Sequence, residues 1–266
     1  MHEKTGNFLY HIAIPTTLSA AECTMMAGFT NAEGMKTGVR DPHLAPQTIL
    51  YDATFARYTP PRLWMSTGLR ALDHAVETLY HPTATEMPGR VMALNAIAGL
   101  FTYLPRYHAT PSAPDDDVIT QLQLAAFSSL GFLGQNMAGG LGLSHSLGYA
   151  LGSPYSIPHG ITSCLTLGHV VKLKADEEGA GNAAQLARAL PVIGLQRSSS
   201  STGDDVADAK KFGDEILRLV HDLGLKTTLK DHGVGEDQAS IITQRATKLE
   251  SGPLYDKVIA LVKTLY

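Results

Sequence analysis

The sequence has few cysteines and a modest net charge, and both limit what the protein can be. Only Cys23 and Cys164 occur among 266 residues, so a disulfide framework and a cysteine-based zinc site are excluded. A net charge of −4 gives no reason to expect nucleic acid or an anionic membrane as a partner. The N-terminus is charged and soon interrupted by Pro15, unlike a signal peptide. We therefore expect a cytoplasmic protein.

Charge is also missing from one long internal stretch. No Asp, Glu, Lys or Arg lies between Asp117 and Lys172, and uncharged stretches of this length can cross a bilayer. Glutamines, Asn136, three histidines and several Gly and Pro residues interrupt it, however, so we reject a membrane span. The stretch is better explained by helices that are buried on most sides and surround a polar pocket.

Strands are predicted only near the start of the chain, and helices after it. Residues 8–14 and 47–52 are short apolar runs beside Pro15 and Pro46, as expected of strands. From residue 60 onward, apolar residues recur at spacings of three and four, which is typical of helices. Helices are predicted over 60–80, 87–107, 118–137, from 158 onward, and over 182–190, 206–223, 235–249 and 254–264. Between 137 and 158 we expect a glycine-rich passage.

Three of the eleven histidines stand out by their context. His74 lies in the middle of a predicted helix, on a turn shared with Glu77. His145 and His159 lie inside the uncharged stretch, where a buried imidazole has to be paired or has to bind a ligand. The remaining histidines are interpreted as ordinary core or surface residues; they include His2, His43, His108, His221 and His232. Two interpretations of these three histidines remain open: they share one pocket, or each is an ordinary paired histidine.

Three motifs resemble those of a known family. PTTLSAAECT at 15–24 resembles the PTTYAGSE-type segment of maleylacetate reductases, and their relatives, the iron-containing alcohol dehydrogenases, have a TTxGTGSE version. GLRALDHAVETLY at 68–80 is similar to the family's central helix, GxDAxxHAxE. HSLGYALGSPYSIPHG at 145–160 is similar to its second signature, in which two histidines stand fourteen positions apart. The motifs occur in the family's order, and the resemblance runs from about residue 9 to about residue 260.

The resemblance implies a metal site, and this chain departs from it. Metal-dependent members hold Fe²⁺ or Zn²⁺ with one aspartate and three histidines, which fall here on His74, His145 and His159. The aspartate position is Arg70, whose guanidinium would repel a divalent cation. Asp73 is nearby but lies about 300° further around the helix. We therefore expect weak or absent metal binding.

The maleylacetate reductase branch also lacks this aspartate, and its substrates are dicarboxylates. The resemblance gives Arg70 a use as the bidentate partner of a substrate carboxylate, with His159 as a second substrate contact. The alternative is an arginine paired with Asp73 or Glu77 on the helix surface. Tyr149 replaces a further family histidine, and His145, Tyr149 and His74 are the candidate catalytic residues.

The cofactor implied by the resemblance is NAD(P)H, with Thr16 and Thr17 as contacts; an ordinary loop is the alternative. The family's phosphate-binding segment, of the type GGGSxxDxAK, precedes these threonines and does not occur in this chain. Without it the pyrophosphate has no helix N-terminus to bind. We expect either a truncated sequence or a protein that has lost its main cofactor contact, with little or no turnover by this chain alone.

The expected fold is mostly α: the all-helical C-terminal domain of the dehydroquinate synthase-like, iron-containing alcohol dehydrogenase fold. Residues 1–58 are interpreted as a remnant of the α/β nucleotide-binding domain and 59–266 as the all-α substrate domain. The leading functional hypothesis is a maleylacetate reductase-like oxidoreductase acting on a small molecule, with a homodimer as the expected assembly. The alternatives are a metal-dependent alcohol dehydrogenase acting on alcohols or aldehydes, and a catalytically silent helical module.

Overall fold

The computed structural model describes residues 8–32, 36–130, 137–177, 181–197 and 200–266. In these residues every strand lies before residue 50. Strands β1 (Ile12–Ala13) and β4 (Thr48–Ile49) are parallel, with Ile12 opposite Thr48. Strands β2 (Met26–Thr30) and β3 (Lys36–Arg40) form an antiparallel pair. The prediction that strands are confined to this part of the chain is confirmed, although the β2–β3 pair was not anticipated.

The rest of the described chain is helical, as predicted. The helices are α1 (Ala53–Ala56), α2 (Pro61–Tyr80), α3 (Val91–Ala109), α4 (Asp116–Leu130), α5 (Leu143–Tyr155), α6 (His159–Ala175), α7 (Asn182–Ala187), α8 (Ala189–Arg197), α9 (Asp205–Asp222), α10 (Ala239–Thr247) and α11 (Pro253–Lys263). A kink precedes α3: within Glu86–Arg90 the backbone of Met87 is not helical, with φ at −117° and ψ at 129°. Several starts follow simple rules. Proline is the first residue of α2 and α11, where its missing N–H costs nothing. The Asp204 carboxylate caps α9 by accepting from the Ala207 amide.

Helix α2 is the central element. Every residue from Trp64 to Leu79 is buried, and α3, α4, α6 and α7 all pack against it. A helix that is buried on all sides must be apolar or must pair its polar groups. The core around α2 is built mainly from leucines, alanines and valines, with Trp64, Phe101, Tyr107 and Phe212 as its largest side chains.

Helices α5 and α6 form a tight pair beside α2. Ser156 ends α5 in the left-handed conformation, with φ at 55°, and Pro158 precedes the first turn of α6. Gly160 brings α6 into backbone contact with α2: a Cβ at this position would lie 2.6 Å from the carbonyl carbon and oxygen of Ser66. This approach places the start of α6 against the middle of the central helix.

Three helix predictions need correction. The passage after residue 137 contains α5, which the glycines in it had obscured. The helix predicted over 87–107 is α3, which begins at Val91 and continues through Pro105 to Ala109. The region predicted as one helix over 182–190 is the two helices α7 and α8. Residues 131–136, the end of the helix predicted over 118–137, lie outside the described residues.

Exposed apolar side chains are concentrated at the start of the chain. The largest exposures in this part include Leu9 and Tyr10, each 68% exposed, and Tyr58 at 83%. No helix in the described ranges is long and apolar enough to cross a membrane.

Candidate functional site

Four charged or ionisable side chains lie inside the central helix. Arg70, Asp73, His74 and Glu77 are 2%, 0%, 5% and 0% exposed. Water cannot stabilise charges at these positions, so each requires a partner within the protein. Arg70 does pair with Asp73, as the alternative interpretation held, but the pair lies in the interior and not on the helix surface.

Glu77 fixes the start of α5. Its Oε2 accepts from the backbone N–H of Gly142 at 2.6 Å and its Oε1 from that of Ser144 at 2.7 Å. The Tyr80 hydroxyl donates to Oε1 at 3.1 Å. Oε2 also lies 2.7 Å from Nδ1 of His145. A carboxylate can only accept, so Nδ1 carries the proton of this hydrogen bond. One buried carboxylate thus caps the α5 helix and orients its histidine.

Asp73 accepts hydrogen bonds from side chains on three helices. Its Oδ2 accepts from Ser163 Oγ at 2.6 Å and Ser144 Oγ at 2.9 Å, and from Arg70 Nη1 at 3.3 Å. Burial alone would raise the pKa of Asp73, but His145, Arg70 and the Ser163 hydroxyl together lower it to about 2. Asp73 is therefore ionised, and Arg70 Nη1, which also donates to Ser163 Oγ at 3.2 Å, is its guanidinium partner.

The pKa values of the two histidines in this cluster are shifted in opposite directions. The rings of His74 and His145 have centroids 4.9 Å apart. Burial and the Arg70 charge lower the pKa of His145, but the carboxylates of Asp73 and Glu77 outweigh them and raise it. Burial, with the charges of His145, Arg70 and His159, lowers the pKa of His74 well below its usual value. His145 is thus the more basic of the pair, and His74 stays neutral.

A cavity of about 270 Å³ opens beside this cluster. Tyr149 and His159 lie on its wall, with their rings stacked at 6.0 Å between centroids. Gly148 also lines it and lies against the cluster, because a Cβ there would be 3.3 Å from Arg70 Nη1. Tyr149 is half exposed, at 49%. The cavity therefore joins solvent to the neighbourhood of the buried charges.

The structure brings together the residues singled out in α2, α5 and α6. His74 contacts His145, and His159 is close enough to affect the pKa of His74. Thr16 and Thr17 lie apart from them, in the loop after β1. Thr16 is exposed and its carbonyl accepts from Thr59 Oγ1 at 2.6 Å. The Thr17 hydroxyl is 3.0 Å from that of Ser19.

Sequence reasoning underrated four members of the cluster. Asp73 was considered as a replacement metal ligand and, like Glu77, as a partner of Arg70 on the helix surface, and Ser144 and Ser163 were not considered. A signal existed for the carboxylates: they stand four residues apart on the same helix as Arg70 and His74, the two residues already singled out there. The hydroxyls carry no comparable signal, because buried serines are common in helix contacts.

Neither candidate ligand set fits a divalent metal. In the set implied by the resemblance, the position of the anionic ligand holds the Arg70 guanidinium. A second set, the ligand atoms of Asp73, Glu77 and His145, lies within 4.8 Å of one another. Most of these atoms are already engaged, however: Asp73 Oδ2 and both Glu77 oxygens accept hydrogen bonds, and His145 Nδ1 donates one. Two carboxylates are balanced by Arg70 and a basic histidine, without a metal.

Thr16 and Thr17 fit a partial contact with a dinucleotide. They follow the carboxyl end of β1, which is paired in parallel with β4, and ligands of α/β sheets bind at that end of the strands. In the described residues no helix N-terminus follows β1 directly, since the next element is a three-residue turn of 3-10 helix, Ala21–Cys23. These two threonines could hold only one end of the cofactor.

Comparison with known proteins agrees with this geometry. The C-terminal part of the Fe-containing alcohol dehydrogenase family matches residues 64–256. A putative alcohol dehydrogenase from Ralstonia eutropha JMP134 has a similar structure, with a TM-score of 0.80 and 26% identity over 99% of this chain and 69% of its own.

Two curated relatives illustrate the range of activities among similar proteins. The maleylacetate reductase of Pseudomonas sp. strain P51 is 33% identical over 160 residues, which are 60% of this chain and 44% of the relative. The lactaldehyde reductase of Escherichia coli K12 is 31% identical over 241 residues, 88% of this chain and 58% of the relative. The chain thus spans about half the length of these relatives.

Proposed function

The chain belongs to the Fe-containing alcohol dehydrogenase family, and we propose that it is the substrate-side domain of an NAD(P)H-dependent, metal-independent reductase. The proposed substrate is an unsaturated oxo-dicarboxylate, as in maleylacetate reductases. The observation that carries this proposal is the buried guanidinium of Arg70, which stands where metal-dependent members place their aspartate and is held there by Asp73 and Ser163. A fixed cation at this point can polarise an oxygen without a metal.

The proposed reaction assigns work to this chain's own residues. The nicotinamide, when bound, supplies the hydride, which adds to the carbon–carbon double bond conjugated with the oxo group. Electrons of the double bond then move onto the oxo oxygen, where the positive charges of Arg70 and protonated His145 stabilise the enolate. A proton from His145 or Tyr149 completes the addition at the neighbouring carbon. One hydride and one proton are consumed for each double bond.

Each role is matched to a property of the site. His145 has a raised pKa and is held by Glu77 through Nδ1, so Nε2 is the nitrogen left for chemistry. His74, which stays neutral, can orient the substrate without adding charge. His159 and Tyr149 line the open cavity, which suits contacts with the outer part of a substrate. Thr16 and Thr17 would contact the dinucleotide.

The second candidate is a metal-dependent alcohol dehydrogenase. The closeness of Asp73, Glu77 and His145 favours it, since three ligand atoms within 4.8 Å could converge on one ion if their hydrogen bonds were exchanged. Stoichiometric Fe²⁺ or Zn²⁺ in the purified protein would support it. A catalytically silent domain is the candidate outside the enzymes, and it requires that no dinucleotide binds saturably.

The test is steady-state oxidation of NADH and NADPH with maleylacetate and with simple aldehydes, with chelator and with added zinc. We expect little or no turnover by the 266-residue chain, because two threonines cannot hold the nicotinamide against the acceptor. Extending the chain upstream with a relative's nucleotide-binding domain should give turnover of maleylacetate that chelator does not abolish. Arg70→Met in the extended protein should lower kcat.

Two outcomes would contradict this proposal. Robust turnover by the 266-residue chain would show that the family's phosphate-binding segment is not needed. Turnover of aldehydes alone, dependent on added metal, would favour the alcohol dehydrogenase instead.

A further inference from the structure

We propose that the place where metal-dependent relatives hold a cation is, in this chain, a binding site for an anionic oxygen: one carboxylate or enolate group of a small organic acid. The inference rests on the proposed function, whose substrate carries such oxygens. It adds that the bound group is an anion, whereas metal-dependent relatives bind a cation at the same place. It concerns binding, which occurs without a dinucleotide.

The first observation is a group of buried nitrogens without partners. Arg70 Nε, His74 Nδ1 and His145 Nε2 make no hydrogen bond within the described part of the chain. An arginine Nε always carries a proton and can only donate. A buried donor left without an acceptor destabilises the fold, and His145, whose Nδ1 donates to Glu77, has Nε2 as a second donor when it is protonated. An anionic oxygen would accept hydrogen bonds from donors of this kind.

The second observation is the distribution of acceptors. Both oxygens of Glu77 are used, and Asp73 Oδ2 accepts three hydrogen bonds. Asp73 Oδ1 accepts none, but it lies 3.4 Å from Nδ1 of His145, so its charge is compensated inside the cluster. The cluster therefore offers a cation one carboxylate oxygen, Asp73 Oδ1, whose charge is already compensated by Arg70 and His145, whereas Arg70 Nε is a donor without an acceptor. This pattern selects an acceptor as ligand.

The third observation is access. Gly148 lines the cavity beside Tyr149 and His159 and lies between Arg70 and Thr162: a Cβ there would be 3.3 Å from Arg70 Nη1 and 3.0 Å from Thr162 Oγ1. The guanidinium thus meets no side chain from α5 at this point. Gly148→Ala should crowd Arg70, and the ligand site with it.

The experiment uses isothermal titration calorimetry and thermal shift on the chain as it stands, with maleate and Zn²⁺ as separate probes. Maleate should bind saturably and raise the melting temperature, whereas its neutral analogue maleamide and Zn²⁺ should not. Arg70→Met should weaken maleate binding at least tenfold. Arg70→Asp should abolish it and introduce Zn²⁺ binding, because it restores the family's ligand set.

Controls separate binding from folding. Arg57→Met removes a half-exposed arginine paired with Asp116 and should leave maleate binding unchanged. If Arg70→Met does not fold, Arg70→Lys, which keeps the charge but loses Nε, and Gly148→Ala provide the same test, and each should weaken maleate binding.

The inference is overturned if the folded native chain does not bind maleate, if maleamide binds equally, or if the native chain takes up Zn²⁺ stoichiometrically. It is also overturned if Arg70→Met, or each of the two substitute variants, binds maleate as the native chain does. Failure of the proposed function looks different. Maleate would bind in this Arg70-dependent way, and the extended protein would still not oxidise NADH or NADPH with maleylacetate.

Discussion

Replacing Asp73 by asparagine should destabilise the protein more than any surface charge deletion. The change keeps the shape of the side chain but removes the negative charge that faces Arg70 at 3.3 Å. The folded pKa of about 2, against 3.8 for a free side chain, corresponds to about 2–3 kcal/mol of stabilisation at neutral pH, at about 1.4 kcal/mol per unit. Leaving a buried partner uncompensated typically costs about 3–5 kcal/mol. We expect a loss in this second range.

The same pKa gives the pH dependence. A carboxyl whose pKa is lower in the folded state stabilises the fold at every pH above its unfolded value. For Asp73 this stabilisation is complete above about pH 5 and fades as the pH falls from there toward about 2. Asp73→Asn lacks this contribution, so the gap between native and variant stability should narrow on acidification.

The assay is urea unfolding followed by the fluorescence of Trp64, the single tryptophan, which is 1% exposed in the central helix. Asp116→Asn is the matched control, because its partner Arg57 is half exposed; it should cost under about 1 kcal/mol. The double variant Arg70→Met/Asp73→Asn should recover part of the loss, since it leaves no isolated charge. Equal costs for the two asparagine variants, or no recovery in the double variant, would refute the reasoning.

Two further predictions concern packing and thiol chemistry. Gly160→Ala should lower the free energy of unfolding by about 1–3 kcal/mol, because its Cβ would lie 2.6 Å from the Ser66 backbone. Gly152→Ala is the control and should be neutral or slightly stabilising, because the nearest atom to its Cβ would be 3.7 Å away. Equal urea midpoints for the two variants would show that α6 can shift away from α2. Burial raises the pKa of Cys164 to about 12 and also raises that of Cys23. Neither thiol should therefore react with Ellman's reagent at pH 8 until the protein unfolds. Rapid labelling of the native protein would contradict the burial of these thiols.

The fold class could be predicted because two kinds of signal agreed. Apolar residues at helical spacing and ordered family motifs both indicated a helical domain after residue 60. The errors were local. Glycines and Pro154 in the sequence around His145 obscured α5, whose helix is stabilised by Glu77, a contact 68 residues away in sequence. Proline disfavours a helix interior, but α3 continues through Pro105, where Leu104 and Tyr107 are buried in the core.

The site was harder to predict than the fold. Motif spacing named the histidines and Arg70, because chemistry restricts those positions to a few residue types. Asp73, the partner of Arg70, was among the residues considered. The burial of this pair could not be predicted, because a spacing of three residues on a helix is the same at the surface and in the core. Only the packing of α5 and α6 around α2 shows that Asp73 and Glu77 have no access to water.

The burial of the central helix has a consequence for hydrogen exchange. The residues Trp64–Leu79 are buried beneath the neighbouring helices, so local fraying does not expose their amides to solvent. We expect these amides to exchange only in global unfolding events. Ligand-free exchange rates in this segment would then measure the free energy of unfolding directly. Any ligand that binds Arg70 or His145 should slow the exchange of the whole helix by one common factor, whereas a ligand bound at the surface of β1–β4 alone could act locally.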